Sequence, residues 1–113
     1  MHENKTKTKL IQGLPAYGVL SSSSDAYLAE LVGLVGFDYY MLDAEHGPLT
    51  PAQAVDVVRA CETVDVTPLV RVGQFDMKVV LQYLDAGMMG VMLPGLSTAV
   101  QIQQFVQGIK YPP

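Results

Sequence analysis

His46 is the residue of this sequence best suited to moving a proton. It stands in the run Asp43-Ala44-Glu45-His46-Gly47-Pro48, and the other histidine is His2, at the N-terminus. Imidazole exchanges protons readily near neutral pH, and two acidic neighbours give it partners, so general acid–base work is the chemistry this position suits. Arg71 is the second candidate. It closes the apolar run Leu69-Val70-Arg71-Val72, where a guanidinium is costly unless it meets an anion. Its planar fork fits a carboxylate in two-point contact. That anion is either a substrate or a structural partner, Asp43 or Asp85, and the sequence leaves both open. Asp85 precedes Ala86-Gly87 at what reads as a helix end. A carboxylate there faces the negative end of the helix dipole, a penalty of about 0.3–1 kcal/mol, so a compensating partner is expected. His46 is one such partner, giving an acid–histidine pair that orients the imidazole; a solvated carboxylate at a frayed end is the plainer alternative. Asp43 and Glu45 offer oxygen ligands to a divalent ion, yet two neighbouring acids do not complete a site of the magnesium type. The run Ser21 to Ser24 contains no glycine and reads as helix cap and loop more simply than as a phosphate cradle.

For these residues to act together the chain must bring them to one place, and a fourfold repeat supplies the means. Four short apolar runs, Tyr17 to Leu20, Tyr39 to Leu42, Pro68 to Val72 and Gly90 to Leu93, are each followed by a polar or glycine-containing loop and an amphipathic stretch. Runs apolar on both faces suit parallel strands covered on each side. The first helix takes Ser24 or Asp25 as its cap, stops at Gly36, and shows Leu28, Leu31, Val32 and Val35 as its apolar face. The second opens with the capping box Thr50-Pro51-Ala52-Gln53 and buries Ala54, Val57, Val58 and Cys61. The third starts near Asp76, buries Met77, Val80, Leu81 and Leu84, and ends at Gly87. The fourth starts at Ser97 and buries Ile102, Phe105, Val106 and Ile109; a further short helix is expected around Thr6 to Gln12.

This alternation predicts right-handed βαβ units on a parallel sheet. The strands recur at about the spacing of a (β/α)8 barrel of about 250 residues. The expected fold is therefore α/β, the first half of a TIM barrel, with about four βα units over residues 1–113. No Gly-x-Gly-x-x-Gly follows the first run, which speaks against dinucleotide binding. Barrels carry function at the C-terminal ends of their strands, and there the imidazole, the guanidinium and the Asp85 carboxylate are expected to converge. A four-stranded sheet alone leaves two bare edges and an uncovered face. An incomplete domain is expected: a fragment, or a chain that pairs with another.

Composition narrows the partners. Half of the 113 residues are apolar and 16% are charged, more apolar and less charged than a typical soluble domain, so many surfaces need cover. The net charge is -4, with no basic patch beyond Lys5, Lys7 and Lys9. Those lysines read as a solvated arm, and the acidic balance argues against a nucleic-acid partner. The single Cys61 precludes an internal disulfide and reads as a small buried hydrophobe in a reducing compartment. No apolar run reaches membrane-spanning length, and the N-terminus lacks a signal-peptide pattern. A cytoplasmic chain with no membrane partner is the expectation.

Several segments, in order along nearly the whole chain, resemble the HpcH/HpaI family of aldolases, which act on 4-hydroxy-2-oxoheptanedioate and 2-keto-3-deoxy sugar acids. They are Gly36-Phe37-Asp38-Tyr39-Tyr40-Met41-Leu42-Asp43-Ala44-Glu45-His46-Gly47-Pro48, Pro68-Leu69-Val70-Arg71-Val72, Leu84-Asp85-Ala86-Gly87, Gly90-Val91-Met92-Leu93-Pro94 and Lys110-Tyr111-Pro112-Pro113. The Asp-x-Glu-His-Gly-Pro stretch is the most specific of them. The resemblance implies a barrel lyase that cleaves or forms a carbon–carbon bond next to pyruvate. A divalent ion, magnesium, manganese or cobalt, would stabilise the enolate. It implies that Arg71 binds the pyruvyl oxygens and that His46, paired with Asp85, serves the acid–base steps. It also implies a small-molecule 2-oxo acid substrate and homo-oligomers, trimers or hexamers, in full-length relatives. The family's metal ligands lie on later strands, so none is expected among these residues and the chain alone should be inactive. Two further readings remain: a non-catalytic half-barrel or binding relic, and a lyase of the citrate lyase β type.

Overall fold

Apolar runs become strands only when neighbours pair them, and here all four are paired. In the computed structural model, which describes residues 3–47 and 49–110, β1 (Gly18–Ser21), β2 (Tyr39–Asp43), β3 (Thr67–Arg71) and β4 (Val91–Met92) form one parallel sheet in the order β1-β2-β3-β4. A helix α1 (Lys5–Ile11) precedes the strands, and α2 (Ala26–Val35), α3 (Pro51–Val64), α4 (Met77–Asp85) and α5 (Ala99–Ile109) follow them in turn. Each strand pairs with the next in sequence, so successive right-handed crossovers put α2 to α5 on one face of the sheet. These are four consecutive βα units, the arrangement of half a (β/α)8 barrel.

Strand alternation decides what each face carries. Tyr40, Leu42 and Val70 are fully buried and pack under the helices with Val32, Val57, Cys61, Val80 and Phe105. Buried phenols need partners: the Tyr40 hydroxyl donates to the Ser23 carbonyl at 2.7 Å and the Tyr83 hydroxyl to that of Leu49 at 3.2 Å. Tyr83 belongs to the core although the apolar pattern of its helix did not single it out. On the opposite face the register lines up Leu20, Met41 and Leu69, then Asp43, Arg71 and Met92 one step nearer the C-terminal rim.

The caps follow the sequence closely. Asp25, Asp76 and Thr98 each accept a first-turn amide through the side chain, and Gln53 Oε1 accepts from Thr50 N at 3.0 Å. Gly36 ends α2 at φ 107°, a conformation that glycine adopts without Cβ strain. The second helix buries the four residues expected of it, with Ala60 besides. Elsewhere the expected apolar faces are only partly covered. In α2, Ala29 and Val32 are buried while Leu31 and Val35 are exposed, and in α5 Phe105 is buried while Ile102 and Val106 are not. Leu81 of α4 is exposed as well. Periodicity marks an apolar stripe, but a neighbour must be present to bury its whole width.

Of the N-terminal lysines expected to form a solvated arm, Lys5 and Lys9 are held in ion pairs, while Lys7 is exposed. Lys9 Nζ lies 2.6 Å from Asp38 Oδ1, and Lys5 pairs with Asp65. The Lys9 hydrogen bond, then that from Tyr17 N, holds the Asp38 carboxyl below the usual carboxylate range. Buried Thr6 donates through Oγ1 to the Asp38 carbonyl at 3.2 Å, and Asn4 Nδ2 donates to the Met89 carbonyl at 3.3 Å. Helix α1 thus lies across the N-terminal ends of β2 to β4. No helix among the described residues is long and apolar enough to cross a membrane.

Candidate active site

Asp43 ends β2 and Arg71 ends β3, and the register makes them direct neighbours on the face away from the helices. Arg71 Nη2 donates to Asp43 Oδ2 at 2.7 Å and Arg71 Nε to Asp43 Oδ1 at 3.2 Å, a two-point clamp. The same Oδ1 accepts from Glu45 N at 3.0 Å and His46 N at 3.4 Å. One carboxylate therefore fixes both the guanidinium and the start of the histidine loop. The Arg71 hydrogen bonds, ahead of the two loop amides, hold Asp43 below the usual carboxylate range, and Asp43 in turn raises Arg71. Beyond the strand ends, Ala44 N donates to the Arg71 carbonyl at 2.8 Å, which carries the pairing into the loop.

Glu45 joins the remaining two groups. Its Oε1 lies 3.5 Å from Arg71 Nε and 3.0 Å from His46 Nε2. Gly73, just past β3, lies alongside the Glu45 backbone and side chain, and a Cβ there would stand 3.5 Å from Glu45 Cα. The His46 side chain is 70% exposed and reaches over the rim, while Arg71 is 22% exposed. Among the described residues no hydrogen bond engages Arg71 Nη1, so the guanidinium keeps donors for a ligand. Two carboxylates face one guanidinium. A groove outside β2 and β3 is lined by Glu45, Leu49, Thr50, Gln74, Asp76 and Tyr83, and shares only Glu45 with the cluster.

The structure brings together two of the three expected site residues. Arg71 and His46 meet at the rim through Asp43 and Glu45; Asp85 does not join them. Helix α4 starts at the rim with its cap Asp76 and must return toward the N-terminal end before β4 can begin parallel to β3. Its last turn therefore lies away from the rim. Asp85 is exposed there, beside Leu81 and Lys110 on one side and Pro51 and Val55 on the other. The expected pairing of His46 with Asp85 within one chain is thus corrected: Glu45 is the acid beside the imidazole, and Asp43, not Asp85, is the partner of Arg71. The serine run forms the turn and leads into the cap, with Ser21 Oγ accepting from Ser23 N and Ser23 Oγ from Asp25 N, both at 3.1 Å.

The divalent ion expected from the resemblance does not find its ligands here. Among the described residues no group of three His, Cys, Asp or Glu could hold a metal ion, and both Asp43 oxygens already bond Arg71. Pro48 of the histidine loop and Tyr111-Pro112-Pro113 lie outside the described residues.

Comparison with known proteins bears on the family and the fold. The family described as HpcH/HpaI aldolase/citrate lyase matches residues 16–113. A hydroxypyruvate/pyruvate aldolase of Agrobacterium fabrum is 35% identical over 98% of this chain and 42% of its own length. A 2-keto-3-deoxy-L-rhamnonate aldolase of Shigella dysenteriae is 32% identical over 97% of this chain and 41% of its own. The crystal structure of an HpcH/HpaI aldolase from Desulfitobacterium hafniense superposes with a TM-score of 0.87 at 30% identity, over 95% of this chain and 42% of that one. The chain thus spans somewhat under half the length of the relatives it matches.

Proposed function

Because this chain belongs to the HpcH/HpaI aldolase/citrate lyase family, we propose that its rim cluster is the anion-binding and proton-transfer part of a carbon–carbon lyase acting on 4-hydroxy-2-oxo acids. The observation that carries the reading is the clamped guanidinium. Asp43 holds Arg71 at two points, which fixes its plane and leaves Nη1 without a partner among the described residues. A 2-oxo acid presents a carboxylate and an adjacent carbonyl, and donors fixed in advance stabilise charge there without reorganising.

In the cleavage direction, the C4 hydroxyl loses its proton, the C3–C4 bond breaks to release an aldehyde, and the electron pair moves onto the C2 oxygen as an enolate. Protonation at C3 then gives the pyruvate-type product. Arg71 would bind the oxo acid and take up the growing negative charge. His46 would carry the proton, with Glu45 beside Nε2 to orient the ring. The two carboxylates beside Arg71 oppose an anionic substrate, which a cation from outside these residues would offset. Magnesium, manganese or cobalt in that place would act as a Lewis acid; the residues described here do not form its site. Asp85 keeps a part in this reading only as a group offered to the rim of a neighbouring subunit in a trimer or hexamer. The reduced thiol of buried Cys61 accords with a cytoplasmic setting.

The test is titration of the chain with pyruvate while the Arg71 Nε–H and the amides of Glu45 to Gly47 are followed by NMR, with and without magnesium or manganese. Pyruvate-dependent shifts at both places, lost in Arg71→Lys, are expected. Shifts confined to the outer groove would reject the assignment. A thioester lyase of the citrate lyase type would instead respond to malyl- or citryl-thioesters.

A further inference from the structure

The buried residues of α4 are Val80 and Tyr83, and only the second carries a polar side-chain atom. Tyr83 is 2% exposed, and for packing alone phenylalanine would serve as well. The hydroxyl has a separate use, since a buried phenol must find a partner. It reaches out of α4 and donates to the Leu49 carbonyl at 3.2 Å, 34 residues back along the chain. That carbonyl stands just outside α3. The helical ladder begins one residue later, where the Thr50 carbonyl accepts from Gln53 N at 3.1 Å and from Ala54 N at 3.3 Å. Tyr83 therefore grips the histidine loop at the point where it enters the helix.

The near end of the same loop is fixed from the sheet. Asp43 Oδ1 accepts from Glu45 N and His46 N, and Ala44 N donates to the Arg71 carbonyl. Gly47 folds back on the strand end, where a Cβ would stand 3.2 Å from the Asp43 carbonyl oxygen and 3.2 Å from Ser22 Cβ. His46 lies between the two anchors. Its side chain is 70% exposed, with Glu45 Oε1 3.0 Å from Nε2. A ring so exposed is not held by packing, so the backbone that carries it and Glu45 set its place.

We propose that Tyr83 is a positioning residue for His46: by pinning the Leu49 carbonyl it fixes the far end of the histidine loop and keeps the imidazole beside Glu45. The consequence for proton transfer rests on the reading of His46 given above; the pinning itself does not. The two halves of the cluster answer to different elements. Asp43 and Arg71 are held by strand register and by each other. Loss of the Tyr83 hydroxyl therefore loosens the proton carrier and leaves the anion-binding group in place.

Amide relaxation measured by NMR on the 113-residue chain tests this in Tyr83→Phe, which keeps the ring and removes the hydroxyl. Thr6→Val is the control. It deletes another hydroxyl-to-carbonyl bond of a buried residue, Thr6 Oγ1 to the Asp38 carbonyl, at the opposite end of the sheet. In the wild type the amides of Glu45 to Gly47 are expected near the order parameter of rigid backbone, about 0.85, and in Tyr83→Phe below about 0.6. The Arg71 Nε–H resonance stays in place in that variant, and pyruvate still shifts it. Thr6→Val leaves the loop as ordered as in the wild type. Unchanged loop order in Tyr83→Phe overturns the proposal. So does equal loosening in Thr6→Val, which is general destabilisation, or an Arg71 signal that moves with the loop, which makes Tyr83 a prop for the whole rim. A wild-type chain that ignores pyruvate fails the lyase reading, while a loop loosened only in Tyr83→Phe still upholds the pinning. Should Tyr83→Phe lose its helical circular dichroism, hydroxyl-proton exchange in the wild type decides. A Tyr83 hydroxyl slower than that of Tyr27, which is 80% exposed, upholds the bond, and equal rates overturn it.

Discussion

Replacing Asp43 by Asn changes one atom and reverses the logic of the rim. The amide oxygen can take the place of Oδ1 and still accept from Glu45 N, His46 N and Arg71 Nε. The amide nitrogen then falls where Oδ2 stood, 2.7 Å from Arg71 Nη2, and sets donor against donor. Flipping the amide only moves that conflict to the loop amides. Asp43 is 7% exposed, so water cannot repair the loss, and a charge-assisted bond of this kind is worth about 1.5–3 kcal/mol. For a domain of this length, that lowers the melting temperature by roughly 5–12 °C at pH 7. The pH dependence follows from the direction of the shift. Asp43 is depressed in the folded state, so its stabilisation is complete above the ordinary carboxylate range, at about pH 4. It is lost as pH falls through the lower folded-state value. Thermal melts of both proteins from pH 7 to pH 2 should show a gap that is constant to about pH 4 and then narrows, because the Asn variant has no such proton to gain. A gap of under about 2 °C at pH 7, or one unchanged at pH 2, would refute the clamp as the organiser of the site.

In a chimera that completes the barrel with the remaining units of a full-length relative, Arg71→Ala should lower kcat by about 10² or more; steady-state kinetics with a 4-hydroxy-2-oxo acid would reveal it, and unchanged kinetics would remove Arg71 from the mechanism. The chain by itself should release no pyruvate from such acids at any concentration of magnesium, manganese or cobalt, and robust turnover in a coupled assay would contradict placing the metal ligands outside it. Burial pushes the Cys61 thiol up to about 12, against an ordinary value of about 8.5, so its thiolate fraction at pH 8 should be on the order of 10³-fold below that of a free cysteine; labelling by a disulfide reagent at the rate of an unfolded control would show the core to be open. Gly87→Ala should cost about 2 kcal/mol or more, since the residue sits at φ 110° with its new Cβ 2.7 Å from Val58 Cγ1; a denaturation midpoint equal to wild type would count against this packing of α4 on α3.

How far the sequence reaches depends on what each property needs. Strands and caps are local, and Asp25, Asp76 and the Thr50–Gln53 box stand within a residue or two of where the pattern put them. Burial on α3 was legible because α3 has neighbours on both flanks. On α2 and α5 the same periodicity overstated burial, since one flank of each has no helix beside it, and on α4 it overstated Leu81, which is exposed although α3 and α5 stand on either side. The rim cluster was half legible. Arg71 and the Asp43 to His46 loop follow from the rule that function gathers at strand ends, but which acid meets which base is a matter of register and loop path. Asp43 and Arg71 are 28 residues apart and adjacent, whereas Asp85, 14 residues beyond Arg71, is carried off by a helix that leads away from the rim. Chain spacing alone cannot tell these two cases apart.

Helix α1 gives the molecule a floor. By tying Asn4 to Met89, Thr6 to Asp38 and Lys9 to Asp38, it covers the end of the sheet opposite the histidine loop. An affinity handle joined ahead of Glu3 would therefore start from the end of the sheet opposite the histidine loop.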